Sequence, residues 1–329
     1  MSYLLKNKRV LFIAPQFFGY EQEIRAELER RGAKVDFLLD RPFQSAFLKA
    51  VTRWRRQWVM GAAERYYEQH IDLSGDYDYV FVINGQTLSE RILILWRQRF
   101  ERAKFFLYMW DSFVNRKDAV SVLGLFDKAF TFDRNDAQKY SINFRPLFFS
   151  KGFESASNEF PEWDISFVGT AHTDRYAVVS KVARRVSGVR AYYYLFLQAP
   201  WVYWVYRIVN PGFSSARLSD FKFKPLTKAD VQQIFISSRA VLDIEHPKQT
   251  GLTMRTLETL GARKKLITTN AQVMFYDFYQ DSNICVIDRS APVIPEHFLS
   301  TPYVDISPEI YQRYRLEGWL DEIFDGELA

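Results

Sequence analysis

The sequence predicts an α/β protein built from two doubly wound parallel sheets, one in each half of the chain. Three observations carry that expectation. Short apolar runs alternate with amphipathic stretches over residues 10–149, a polar stretch with Gly, Ser and Pro interrupts them at 151–164, and the same rhythm resumes over 165–287. Strands alternating with helices imply crossover connections and a mostly parallel sheet covered on both faces. At 329 residues the chain exceeds an ordinary single domain, so two cores are the natural division.

In the first half, residues 10–14 are an apolar run closed by Pro15, a short buried strand. Residues 21–31 are amphipathic, with Ile24 and Leu28 four apart, and Gly32 stands where a helix C-cap belongs. A strand at 35–39 and a long helical region at 44–70 follow, then a strand at 79–83 ended by Asn84-Gly85. Thr87 with Glu90 three residues later makes a capping box that opens a helix running to residue 102. Strands at 105–109 and 129–132 end at Trp110-Asp111-Ser112 and Asp133-Arg134, and a strand at 144–149 closes the series.

In the second half, a strand at 165–168 ends at Gly169-Thr170, followed by a helix at 174–186, a strand at 190–197 and a loop at 211–219. A helix at 228–238, a strand at 240–244, a short helix at 253–261 and strands at 265–268 and 284–287 follow, then a terminal helix at 307–324. The expected domains are therefore 1–155 and 156–306, with 307–329 packing back on the first. Two such domains are expected to enclose a cleft, a favoured place for a ligand.

Composition excludes several classes. With 48% hydrophobic and 25% charged residues the chain is globular rather than disordered, and 17% aromatics supply apolar area for two cores. A single cysteine, Cys285, excludes an intrachain disulfide framework and a Cys-based zinc or iron–sulfur site, and fits a reducing cytosol. Four dispersed histidines give no ligand cluster, so no metal or other cofactor is expected. The N-terminus lacks the features of a signal peptide, and the longest apolar stretch, 191–209, is interrupted by Gln198, Pro200 and Arg207, too broken for a spanning helix. A cytoplasmic location is expected. A net charge of +5 and a pI near 9.0 suit an anionic ligand or a membrane surface, and without a recognised module they are too small a basic excess for nucleic acid. The first strand leads into Ala14-Pro-Gln-Phe-Phe-Gly19, which lacks the Gly-x-Gly-x-x-Gly fingerprint of a dinucleotide oxidoreductase.

Ligands of doubly wound sheets bind beyond the carboxyl ends of the strands. The most informative such stretch is Asp243-Ile-Glu-His-Pro-Lys-Gln-Thr-Gly-Leu-Thr-Met-Arg-Thr-Leu-Glu-Thr-Leu-Gly261, a strand, a polar loop containing Gly251, and a helix opening near Thr253. A helix N-terminus offers unpaired N–H groups and partial positive charge, which suit a phosphate. Lys248 and Arg255 add charge on the same side, and Glu258, one turn beyond, is placed to accept hydrogen bonds from a sugar diol. The plainer reading is a capped surface helix with an Arg255–Glu258 pair. His246, beside Pro247, is a candidate contact for phosphate or base, and His172, just after Gly169-Thr170, is a candidate proton acceptor. In the first half Asp111 is the other candidate base; an Asp after a strand is equally a helix N-cap, and Asp133 with Asp136 reads as a cap. Phe18 and Tyr20 offer aromatic stacking to a sugar, with Gly19 giving the backbone freedom between them and packing expected for Phe17, and Asn84 and Gln86 offer amides.

The pattern Gly251-x-x-x-Arg255-x-x-Glu258, then Gly261 and Lys265-Leu-Ile-Thr-Thr-Asn270, resembles the donor-binding region of GT-B glycosyltransferases, nearest to bacterial enzymes of lipopolysaccharide and capsular polysaccharide assembly. Tyr108-Met-Trp-Asp-Ser112, Phe126-Asp-Lys-Ala-Phe-Thr-Phe-Asp133 and Ile165-Ser-Phe-Val-Gly-Thr170 agree, and the resemblance runs from Tyr77 to Asp288. It implies two Rossmann-like domains, the first for a glycan or lipid-linked glycan acceptor and the second for a nucleotide-sugar donor. It assigns ribose binding to Glu258, diphosphate contact to Arg255 and Lys248, and places Gly169 and Thr170 facing the diphosphate. It implies a hexosyltransferase without a metal, since helix dipoles and basic side chains can hold the leaving diphosphate. An enzyme that isomerises a nucleotide sugar without an acceptor, and a non-catalytic nucleotide-sugar-binding module, are the rival readings. Lys49, Arg53, Arg55, Arg56 and Arg65 with Trp54 and Trp58 suit the interface of an anionic membrane, which would give peripheral contact with the cytoplasmic face of the inner membrane; the plainer reading is a core helix or a domain interface. For Ala199-Pro-Trp-Val-Tyr-Trp-Val-Tyr206, a core helix or a domain interface is the expectation.

Overall fold

In the computed structural model, which describes residues 5–42, 57–154, 161–186, 188–247 and 249–324, the apolar runs of the first half fold as six strands. They are β1 (Arg9–Ala14), β2 (Lys34–Leu39), β3 (Tyr79–Ile83), β4 (Lys104–Met109), β5 (Lys128–Thr131) and β6 (Asn143–Phe144), interleaved with α1 (Tyr20–Arg30), α2 (Gln57–His70), α3 (Glu90–Arg99) and α4 (Arg134–Tyr140). All pair in parallel, in the order β2-β1-β3-β4-β5-β6. The chain steps from β1 outward to β2, then returns past β1 to β3, so the sheet reverses direction between β1 and β3. The period of two in a strand divides the apolar residues between the faces. Leu11, Ile13, Val80, Val82, Leu107 and Met109 join a core with Ala63 and Tyr67 of α2 and Ile92 and Trp96 of α3. The residues between them are aromatic. Phe81 and Tyr108 pack against Trp319, and Phe81 and Phe106 against Phe324, at centroid distances of 6.0, 4.7, 5.6 and 5.4 Å.

The second half repeats the plan with β7 (Trp163–Thr170), α5 (Arg175–Arg185), β8 (Ala191–Phe196), α6 (Pro200–Val209), β9 (Phe221–Lys222), α7 (Lys228–Ile236), β10 (Ser238–Asp243), α8 (Met254–Gly261), β11 (Lys265–Thr268) and β12 (Ile284–Val286). Helices α9 (Glu296–Ser300), α10 (Pro308–Arg313) and α11 (Leu316–Phe324) complete the described chain. The order is β12-β11-β10-β7-β8-β9, again all parallel, and the reversal falls between β7 and β10. Ile165, Phe167, Ala240 and Leu242 share one core with Tyr176, Val179 and Val182 of α5, while Val168 and Val241 pack with Phe153 and Phe235 on the opposite face. Among the described residues no helix is long and apolar enough to cross a membrane.

Internal packing divides the chain into one unit of Met1–Pro146 with Leu316–Ala329 and a second of Leu147–Arg315. The divisions at 146 and 315, rather than at 155 and 306, have local causes. Pro146 ends the last strand of the first sheet at Phe144 instead of Phe149, because proline has no N–H for a ladder. The single terminal helix expected over 307–324 is two, α10 in the second unit and α11 in the first, parted at Tyr314 and Arg315. Helix α3 is capped by Ser89, whose hydroxyl accepts from Ile92 N, and not by Thr87. Thr87 is occupied elsewhere: its hydroxyl donates to the Asp40 carbonyl and lies 3.0 Å from the Tyr67 hydroxyl. Of the helix expected over 44–70, residues 57–70 are helical and 44–56 lie outside the described residues. Helix α6 falls on the segment 199–206, where a core helix or a domain interface is the expectation; Val202 and Tyr203 are buried, whereas Trp201 and Trp204 are exposed.

Candidate functional site

In the second unit the carboxyl ends of β7 and β10 flank the point where the sheet reverses. Asp243, the last residue of β10, is buried, and a buried carboxylate persists only with partners. It has three. Arg255 Nη1 donates to Oδ1 at 2.9 Å, and the hydroxyls of Thr253 and Thr256 donate to Oδ2, both at 2.7 Å. Asp243 thus fixes the first turn of α8 to the end of β10, with Thr253 also acting as the helix N-cap. The plainer pairing of Arg255 with Glu258 is not what forms; Arg255 pairs with Asp243. Its guanidinium also lies over the Phe167 ring, 5.5 Å from the centroid, and a Cβ on Gly169 would stand 3.0 Å from Nη2. Gly169 is therefore the residue that lets Arg255 approach β7.

Two further arginines converge here. Arg175, at the start of α5, donates from Nε to the Ile244 carbonyl at 2.7 Å and from Nη1 to the Thr170 carbonyl at 3.3 Å. Burial and the neighbouring Arg255 lower its guanidinium to about 10. His172 sits against it, with Nε2 3.1 Å from Arg175 Nη1. Burial, Arg175 and His246 depress the imidazole to about 4, so it is neutral at pH 7 and presents its Nε2 lone pair to the guanidinium. The His172 and His246 rings are 6.2 Å apart. Arg289, just after β12, bridges Asp174 at 2.8 Å and the Glu245 carboxylate, which also accepts from the Thr269 hydroxyl.

Glu258 lies one turn further along α8, buried, and desolvation pushes its carboxyl up to about 8. Gly251 is buried in the loop before α8, where its carbonyl accepts from Gln249 Nε2 at 2.9 Å. Lys248 lies outside the described residues. The sequence-predicted Gly169, Thr170, His172, His246 and Arg255 thus gather at one edge, with Glu258 behind them. Sequence reasoning missed Asp243, Arg175, Glu245 and Arg289 as members. The signals were Asp243-x-Glu245 ending one strand, Asp174-Arg175 opening a helix and Asp288-Arg289 following another strand. Chemically, Arg255 and Arg289 are paired with carboxylates, whereas Arg175 is held by main-chain carbonyls, and Arg175 with the N-terminal turn of α8 at the carboxyl edge of a parallel sheet makes a setting for an anion.

In the first unit the corresponding edge gathers Phe17–Tyr20, Asn84–Gln86 and Asp111. Phe18 and Gly19 both take left-handed backbone, φ 52° and 76°, at the turn into α1. Phe18 is 63% exposed, whereas Tyr20 is buried and packs on Trp110 at 5.9 Å, so Phe18 presents a ring and Tyr20 backs it. Phe17, expected to pack, does rest on Trp110 at 5.9 Å yet stays exposed. The Asn84 side-chain oxygen accepts from Trp110 N at 2.8 Å, which uses it to hold the loop after β4. Gln86 Oε1 accepts from Arg116 Nη2 at 2.6 Å. Asp111 accepts from Ser112 N and Asn115 Nδ2 and faces Arg116 Nε at 3.6 Å, while Asp133 caps α4. Beneath them Asp40, fully buried at the end of β2, is pushed up to about 6 by desolvation; neither it nor Arg116 was singled out in the sequence. Among the described residues no group of three or more His, Cys, Asp or Glu is arranged to hold a metal ion.

No protein-family model matches the sequence, and no curated protein matches it. Solved structures do match in fold. AviGT4, a glycosyltransferase involved in avilamycin A biosynthesis, aligns with a TM-score of 0.60 at 12% identity over 98% of each chain. HepE of Anabaena in complex with UDP and glucose aligns with a TM-score of 0.58 at 10% identity, covering 98% of this chain and 100% of HepE. The UDP-GlcNAc 2-epimerase of Neisseria meningitidis bound to UDP-GlcNAc aligns with a TM-score of 0.53 at 11% identity, over 97% and 99%. The chain has the two-domain α/β architecture of the GT-B fold.

Proposed function

We propose that the chain is a metal-independent glycosyltransferase of bacterial surface-glycan assembly, moving a hexose from a nucleotide sugar to a lipopolysaccharide or capsular acceptor. The observation that carries this reading is the edge between β7 and β10, where Arg175 and Arg255 meet the N-terminal turn of α8. In the reading, the donor diphosphate lies against that turn, and the guanidiniums neutralise charge as the sugar leaves. Glu258 takes the ribose hydroxyls; buried and protonated, it both donates and accepts. His172, neutral and engaged with Arg175, orients that guanidinium, which leaves Asp111 as the base for the acceptor hydroxyl. Phe18 and Gln86 sit at the acceptor edge of the first unit, and the acceptor is lipid-linked or soluble glycan. That HepE was solved with UDP and glucose supports a nucleotide-sugar donor.

The test is calorimetric titration with UDP, GDP, CMP and dTDP, without metal, on the wild type and on Glu258→Ala. One nucleotide should bind, with affinity at least about tenfold weaker in the variant, as losing hydrogen bonds to a buried acid implies. Well-folded protein that binds none of the four removes the donor site from this reading. The fold shared with the 2-epimerase favours a second reading, isomerisation of the nucleotide sugar; product formed without any acceptor would select it.

A further inference from the structure

Between α8 and the strands β11 and β12 the second unit keeps a small pocket. Leu260 of α8, Leu266 of β11, Ile284 of β12 and Phe278 give it apolar walls, and the space they leave is about the size of one water molecule. Two titratable side chains line the same space. Lys264, in the turn that joins α8 to β11, is 5% exposed, and Tyr303, after α9, has its hydroxyl buried. Thr256 and Asn283 complete the lining.

The polar groups of the lining do not satisfy one another. The Asn283 side chain is engaged within the fold: its amide donates to Gln280 Oε1 at 3.2 Å and to the Val304 carbonyl at 2.6 Å, and its oxygen accepts from Val304 N at 2.9 Å. The Thr256 hydroxyl donates to Asp243. What remains is the Lys264 amine and the Tyr303 hydroxyl, which has no hydrogen-bond partner among the described residues. Burial alone shifts the Lys264 amine, with no neighbouring carboxylate to oppose it, and takes it down to about 8, so at pH 7 most of it still carries its proton. A buried cation without a counter-charge is among the least favourable arrangements in a fold. Both remaining groups donate, so the occupant that complements them accepts only and carries negative charge. A water accepts but brings no charge, and a phosphate exceeds the space. We propose that this pocket binds one small monovalent anion, of halide size, between the Lys264 ammonium and the Tyr303 hydroxyl. The site reaches the donor edge through one residue. Thr256 lines the pocket, and its hydroxyl holds the Asp243 carboxylate that pairs with Arg255. An anion held against α8 therefore steadies the helix that presents Arg255 and Glu258, and should tighten nucleotide binding. That consequence rests on the transferase reading; anion binding itself does not.

The experiment is urea denaturation of the full chain at pH 7, with sodium chloride exchanged stepwise for sodium gluconate at constant ionic strength. Once chloride exceeds its dissociation constant, each further tenfold should raise the wild-type folding equilibrium about tenfold. Gluconate, too large for the space, should give no such rise. In Lys264→Met, which keeps the apolar stem and removes the charge, the chloride response should vanish, and Tyr303→Phe should weaken it. Crystals of the wild type grown in sodium bromide give a direct readout, an anomalous peak within hydrogen-bond reach of Lys264 Nζ and Tyr303 Oη. A wild type indifferent to chloride overturns the proposal. So does a Lys264→Met variant that keeps the wild-type response, which would put the anion elsewhere, or a bromide crystal with no peak between the two side chains. Nucleotide titration keeps the two readings apart: protein stabilised by chloride through Lys264 that binds no nucleotide removes the donor site and leaves the anion site standing.

Discussion

Glu258 and Asp243 are both buried acids on the same edge of the second unit, and their surroundings set them apart. Asp243 is surrounded by three donors, whereas desolvation dominates at Glu258 and raises its carboxyl from about 4.5 to about 8. The sign of the consequence is fixed. Between those two values the unfolded chain has released the proton and the folded chain still holds it, so folding binds a proton and stability falls as pH rises across that window. Below the lower value both states are protonated and the term is constant. Chemical denaturation of the wild type across the window should show this decline, and Glu258→Gln, which cannot ionise, should remove its share of the slope. A variant with the wild-type slope would mean that Glu258 titrates normally. The spacing of Arg255 and Glu258 was legible in the sequence because three residues along a helix keep one face. Arg175 and Arg289 were not, because the crossovers that bring them beside β10 join segments far apart in the chain. Nor was the neutral state of His172, which depends on the guanidinium that the fold sets against it.

Strands and crossover helices were legible wherever an apolar run was short and cleanly ended. Residues 79–83 and 265–268 fold as strands with the limits read from sequence, because Asn84-Gly85 and the turn before Lys265 punctuate them. Element ends failed where a tertiary partner took the local signal. Thr87 looked like the cap of α3 but bonds to Asp40. The glycine that closes α8 is the reverse case, a motif residue whose reason is tertiary. A Cβ on Gly261 would stand 2.6 Å from the Phe149 ring, and the Gly261 carbonyl accepts from the Tyr311 hydroxyl at 2.7 Å. Gly261→Ala should gain helix propensity yet force that ring aside, a net loss of about 1 to 3 kcal/mol. A lowered denaturation midpoint with unchanged denaturant dependence checks it, and an unchanged midpoint would mean that Phe149 moves freely. Since α8 carries Arg255, the same variant should also weaken nucleotide binding.

At the scale of the whole molecule, the first unit is assembled from chain that is distant in sequence. Its sheet presents Phe81, Phe106 and Tyr108 on one face, and the element that covers them, α11, comes after the entire second unit. Trp319 is fully buried there, and Arg31 ties the same helix down through Asp321 at 2.7 Å and the Glu317 carbonyl at 2.7 Å. A short amphipathic helix does not by itself name the sheet it covers, so the expected placement of the terminal segment had no residue signal behind it. The physical reason is the aromatic face: rings left uncovered on a parallel sheet would be an apolar surface larger than a soluble unit tolerates. Trp319→Ala should therefore cost about 3 to 5 kcal/mol, the range for an aromatic truncated in a core. The loss should fall on one unit. Hydrogen exchange should quicken in β1, β3 and β4 while α8 and β10 keep their protection, and nucleotide titration should keep its wild-type affinity. Protection lost equally in both units would mean that the two fold as one cooperative body, and protection unchanged in β3 and β4 would mean that α11 adds little to the sheet it covers.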